Sequence, residues 1–185
     1  MIKDSGNREV FASGAVRDIQ EGKGRCDLLP LDVVAEHMEA NGEKPFVIHF
    51  IHEFQRTGDT WNLHSALGSF GGARWGNIST MILEVAAHFE EGARKYAARN
   101  WEKGIPVQRF IDSGVRHYFK WLRGDTDEPH DRAFCWNMLC AIWTCKHQPE
   151  LNEYDRSECD ERGTIEEVSR SEKRAYDNRG TQARG

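Results

Sequence analysis

Apolar side chains recur every three or four positions over much of the chain, and that spacing predicts amphipathic helices. "LDVVAEHMEA" (31–40) puts Val33, Val34 and Met38 on one face behind an Asp cap and closes at Asn41-Gly42. "PFVIHFIHEF" (45–54) is β-branched and aromatic. It suits a strand or a buried helical turn, and helix is the expectation. Residues 57–76 hold five glycines and little periodicity, which predicts a loop or insertion within 40–76. Periodicity resumes at 81–96, "MILEVAAHFEEGARKY", after a cap at Asn77 or Ser79. "PVQRFIDSGVRHYFKWL" (106–122) carries a stripe at Phe110, Ile111, Tyr118, Trp121 and Leu122, with Pro106 suited to a first turn and Gly124 to a stop. Residues 130–147, "HDRAFCWNMLCAIWTCKH", form the most apolar predicted helix.

Elsewhere the pattern fades. Residues 1–12 read as a flexible N-terminus. Residues 13–30, punctuated by Gly14, Gly22, Gly24 and Pro30, read as an irregular ordered segment. Residues 151–185 have almost no core formers and read as a disordered polar tail. The expected fold is all-α, a bundle of three or four helices over 13–150, with no βαβ unit and no repeat.

Composition narrows the function classes. Charged residues make up 30% and the net charge is -5, which argues against stable nucleic-acid binding but leaves room for a local basic pocket. No apolar run approaches the ~18 residues of a membrane helix and no signal-peptide pattern opens the chain, so a cytoplasmic location is expected. The five cysteines lack zinc spacing and read as small apolar side chains in a reducing compartment.

The helix over 81–96 has a second stripe. Glu84, His88, Glu91 and Lys95 fall within roughly 60° of one another at about 100° per residue, at the border of the apolar face. A cleft between helices would receive them there; an ordinary solvated face with a Glu91–Lys95 pair is the plain alternative. A second acidic group follows in "GDTDEPHD", where Asp125, Asp127, Glu128, His130 and Asp131 crowd a helix start. Capping accounts for one or two acids. A hard divalent cation, Mg²⁺ or Mn²⁺, accounts for more of them. Asn137, in an apolar stretch, needs a partner: a ligand, a metal-ligating carboxylate or a neighbouring helix. Arg109, Arg116 and Lys120, with His117 beside them, share one face that suits phosphates or solvent. "EGKGRCD" (21–27) offers Lys23 and Arg25 in a glycine-rich loop that matches no P-loop spacing. Together these groups fit metal-assisted hydrolysis of a phosphoanhydride, with a carboxylate or His130 as base.

The blocks "GAVRDIQEGKGRCDLLP", "HFEEGARKYAARNWEKGIP" and "DSGVRHYFKWLRGDTDEPHDRAFCWN", in this order, resemble the phage-associated dATP/dGTP diphosphohydrolases, MazG-like proteins of the all-α nucleotide pyrophosphohydrolase group. The resemblance spans roughly 13–150 apart from 40–76. It implies a MazG-like helical bundle that forms a homo-oligomer. It also implies Mg²⁺- or Mn²⁺-dependent conversion of a purine (deoxy)nucleoside triphosphate, most of all dGTP or dATP, to the monophosphate and pyrophosphate. In a phage such a reaction would feed modified-purine synthesis in the host cytoplasm. MazG-like enzymes carry E-x-x-E and E-x-x-D on two helices. Glu128-Pro129-His130-Asp131 matches the second; at the first, Ala87 stands where a Glu belongs and Glu84 pairs instead with Glu91.

The expected metal-ligand pool is thus Glu84, Glu91, Asp127, Glu128 and Asp131. Glu91, Asp127, Glu128 and His130 are the catalytic candidates. Lys23, Arg25, Lys95, Asn100, Arg116, His117 and Asn137 are the candidates for holding the nucleotide. Two rivals remain open at this point: an HD-type phosphohydrolase built on His130-Asp131, and a non-catalytic nucleotide-sensing or host-interaction protein.

Overall fold

The computed structural model describes residues 6–154. Residues 1–5 of the expected flexible N-terminus and 155–185 of the expected tail lie outside the described residues. The described residues form six helices and one small hairpin, which is an all-α architecture. Strands β1 (Arg8–Val10) and β2 (Val16–Asp18) pair antiparallel, with Glu9 opposite Arg17. The helices are α1 (Leu31–Ala40), α2 (Phe46–Thr57), α3 (Thr60–Trp75), α4 (Ile78–Tyr96), α5 (Val107–Arg123) and α6 (His130–His147). No helix among the described residues is long and apolar enough to cross a membrane.

The helices predicted near 31–40, 45–54, 78–98, 106–122 and 130–147 are all present. Two expectations are corrected. Residues 57–76 are a helix and not a loop. Leu63, Ala66, Leu67, Phe70 and Gly71 of α3 are buried at helical spacing. Two of the five glycines lie outside its body, as left-handed caps: Gly58 (φ 71°) ends α2 and Gly76 (φ 75°) ends α3. Residues 8–10 are a paired strand and not loose chain, held by a partner strand six residues on.

Pairs α5–α6 and α2–α3 pack most extensively, and α6 also touches α3 and α4. Val107, Phe110, Ile111, Gly114, Val115 and Tyr118 face inward from α5 at the spacing of one helical face. Gly114 lets α6 come close, since a Cβ there would collide with Met138. Phe134, fully buried, meets Phe70 edge-on at 4.7 Å between centroids and Tyr118 at 5.6 Å. Cys135 and Cys140 are buried free thiols, and burial drives both pKa values upward.

Truncating Phe134 to Ala removes a ring that three helices share. We expect a loss of about 3–5 kcal/mol in unfolding free energy by urea titration. A loss below 1 kcal/mol would mean that this core is not closed as described.

Candidate active site

The hairpin is seated on α4, α5 and α6 by buried polar contacts. Asn100, in the turn after α4, accepts from the Val16 amide at 2.9 Å and donates to the Val16 carbonyl at 2.7 Å. Asp18 receives the Tyr96 hydroxyl at 2.6 Å and the Lys95 ammonium at 2.9 Å. Burial pushes the Asp18 pKa up, but those two donors outweigh it and the net shift is downward. Asp112 of α5 is buried and accepts from Gln20 and from the Cys26 amide, each at 2.7 Å, and from Arg116. Segment 16–26 is thereby tied to the helices along its length.

Between this segment and α4, α5 and α6 lies a cavity of about 740 Å³, within the usual range for small-molecule sites. Its walls have unlike chemistry. Arg17, Lys23, Arg109, Arg116 and Lys120 supply positive charge, and Phe89, Trp101 and Trp136 supply aromatic surface. Asp127, Glu128 and His117 also line it, and His130 stands directly behind them. His130 Nε2 is 2.8 Å from Asp127 Oδ1, and its Nδ1 is 2.9 Å from His117 Nδ1. Glu128 Oε1 lies 3.6 Å from the His130 ring and 3.7 Å from the His117 ring. An ionised carboxylate only accepts, so His130 Nε2 carries a proton. A neutral His130 then accepts at Nδ1 from His117. Burial, reinforced by His130, holds the His117 pKa well below its ordinary value. The His130 bond holds the Asp127 pKa low despite an opposing desolvation effect.

Ligand atoms of His117, Glu128 and His130 lie within 4.8 Å of one another, and so do those of Asp125, Asp127 and His130. Two imidazole nitrogens beside a carboxylate oxygen are a donor set for a divalent cation of the Mn²⁺ kind, while the carboxylates alone suit Mg²⁺. The residues present therefore fit a divalent ion.

Residues 75–154 match the family model described as dATP/dGTP diphosphohydrolase, N-terminal. This segment is similar to that family. No curated protein and no solved structure matches the chain. The matched segment contains α4, α5 and α6, with the carboxylate–histidine cluster on α5, the acidic turn and α6; the hairpin, α1, α2 and all of α3 but Trp75 lie outside it.

The structure places the remaining candidates as follows. Glu84 pairs with Arg132, and Asp131 pairs with Arg74 of α3 at 2.8 Å. Among the described residues, neither ligand group includes Glu84, Glu91 or Asp131. Asp131 is thus turned toward α3, and the later aspartates that an HD-type site would draw on lie outside the described residues. Lys95 and Asn100 secure the hairpin. Arg25 forks onto Asp27 at 2.7 and 2.5 Å and is not on the cavity wall. Asn137 finds protein partners, accepting from Arg17 at 2.6 Å and donating to the Ala133 carbonyl at 2.8 Å. Sequence reasoning passed over Arg17 altogether. An isolated arginine between Val16 and Asp18 gives no signal until the hairpin is docked.

Two tests follow from this geometry. Asn100→Ala leaves both backbone groups of Val16 unpaired; it should cost about 1–3 kcal/mol and speed amide exchange at Val16, whereas unchanged exchange would show that the hairpin is held elsewhere. The second concerns acid. Burial lowers the His88 pKa to about 4, and His117 moves the same way. The unfolded chain then takes up protons first, near pH 6.5. Stability is full above that pH and falls as pH drops toward 4, by about 1.4 kcal/mol per pH unit for each histidine. Urea midpoints that stay level from pH 7 to 5 in metal-free buffer would contradict the burial of both rings.

Proposed function

We propose that this chain is a metal-dependent diphosphohydrolase of purine deoxynucleoside triphosphates. It takes dGTP or dATP to the monophosphate and pyrophosphate, a reaction that would supply modified-purine nucleotide synthesis in a phage. The observation that carries this reading is a single cavity lined by Asp127, Glu128 and His117, with His130 behind them, together with Lys23, Arg109, Arg116 and Lys120. The family match of the three helices that build it agrees.

Asp125, Asp127 and His130, whose ligand atoms lie within 4.8 Å of one another, would hold the divalent ion, which would supply Lewis-acid polarisation of the phosphoanhydride oxygens. The chain's own groups do the rest. Lys23, Arg116 and Lys120 hold the triphosphate and offset the charge that builds on the leaving pyrophosphate. Glu128, beside the ion but outside that ligand set, takes a proton from the attacking water. Water oxygen bonds to phosphorus as the bond to the pyrophosphate oxygen breaks. Phe89, Trp101 and Trp136 give the cavity an apolar wall that keeps bulk water off.

The deciding experiment is incubation with the eight common ribo- and deoxynucleoside triphosphates plus Mg²⁺ or Mn²⁺, with products resolved by chromatography. We expect dGTP and dATP to yield equal amounts of monophosphate and pyrophosphate. Glu128→Gln should lower kcat/KM by about 10²-fold or more. Release of triphosphate would replace this reading with HD-type chemistry, and binding without turnover would leave only a nucleotide sensor.

A further inference from the structure

Arg17 stands on β2, outside the segment that matches the family, and the reaction as described gives it no task. Its guanidinium packs over the rings of Phe110, at 4.9 Å, and Trp136, at 5.7 Å. One terminal nitrogen, Nη2, donates to Asn137 at 2.6 Å. The other, Nη1, is buried with no hydrogen-bond partner, on a side chain that lines the cavity. Among the described residues no carboxylate pairs with this guanidinium.

Its neighbours differ in that respect. Arg109 has Glu9 at 2.5 Å and Arg116 has Asp112. Both arginines lie close enough to Arg17 to act on it: burial lowers the Arg17 pKa to about 10, and Arg109 and Arg116 push it in the same direction. A desolvated cation that lacks a counter-charge and sits beside two other cations favours an anion in the cavity. The edge of a neutral purine would satisfy the hydrogen bond but leave the charge uncompensated. Position agrees with this. Asn137, which holds Arg17, stands seven residues after His130 on α6, about 10 Å along the axis. That places the guanidinium a triphosphate's reach from the carboxylate–histidine cluster.

We propose that Arg17 is the anchor for the terminal pyrophosphoryl group of the substrate, its Nη1 donating to a non-bridging phosphate oxygen while the triphosphate runs from the Glu128–His130 end of the cavity toward the hairpin. The assignment rests on the diphosphohydrolase reading for its choice of anion. Arg17 is then a binding residue that sets which way the substrate lies.

The test uses inorganic pyrophosphate and dGMP as separate probes, titrated calorimetrically into the full chain with Mn²⁺. Wild type should bind pyrophosphate. Arg17→Met, which keeps an apolar stem between the rings, should weaken pyrophosphate by about 10–100-fold, the loss of one or two charge-assisted hydrogen bonds, and change dGMP by less than about twofold. Its thermal midpoint should match or exceed wild type, because an uncompensated buried charge has gone. Weakened dGMP binding with pyrophosphate unchanged would overturn the proposal and make Arg17 a reader of the base. No effect on either probe would overturn it as well. If Arg17→Met does not fold, wild type decides: no rise in its thermal midpoint with millimolar pyrophosphate refutes the anchor. Pyrophosphate binding through Arg17 without any triphosphate turnover would sink the hydrolase and keep the anion site. Turnover that ignores Arg17 would do the reverse.

Discussion

Everything functional in this molecule depends on a seam of buried polar contacts between the N-terminal hairpin and α4, α5 and α6. Val16 is bound at both backbone groups by Asn100, Asp18 by Tyr96 and Lys95, and Asp112 by Gln20, Cys26 and Arg116. Desolvated groups of this kind stabilise only when all partners are present, and each one left unmet costs more than a made bond contributes. The seam therefore behaves as a unit. It brings a segment from the first 26 residues against helices that begin more than 50 residues later, and the cavity exists only because it does so.

That arrangement also sorts charge. Acids and imidazoles gather where the acidic turn meets α6, and cations from the hairpin, the glycine-rich loop and α5 line the same cavity. Several of these cations are already paired: Lys120 with Asp127 at 3.6 Å, Lys23 with Asp18 at 3.9 Å, and Arg116 with Asp112. Among the described residues Arg17 has no such carboxylate, which gives the cavity an electrostatic preference for an anionic ligand over a neutral one. The aromatic side of the cavity lowers the local dielectric and strengthens that preference.

Much of this was legible from the chain alone. Helical periodicity marked five of the six helices, and the crowding at Asp125, Asp127, Glu128 and His130 marked the acidic end of the cavity. The basic face of Arg109, Arg116 and Lys120 was visible as a spacing. What failed had physical causes. Helix α3 was hidden by glycines, two of which cap helices and one of which admits Met81. Glu84 and Asp131 look like ligands in sequence, yet each pairs with an arginine from another helix, Arg132 of α6 and Arg74 of α3. Asn100, on the cavity wall, and Lys95 look like ligand-binding groups in sequence, and both hydrogen-bond to the hairpin.

By itself, then, the amino-acid sequence determined the helices and the residue types available for chemistry, because both follow from local spacing and side-chain identity. Tertiary structure alone decided which charges remain unmatched. His117 joins Glu128 and His130, Arg25 is consumed by Asp27, and Arg17 is carried into an apolar gap with one nitrogen unpaired. Such outcomes depend on distances between segments far apart in the chain, and pairing energies of that kind are fixed only when the folded chain brings the partners together or keeps them apart.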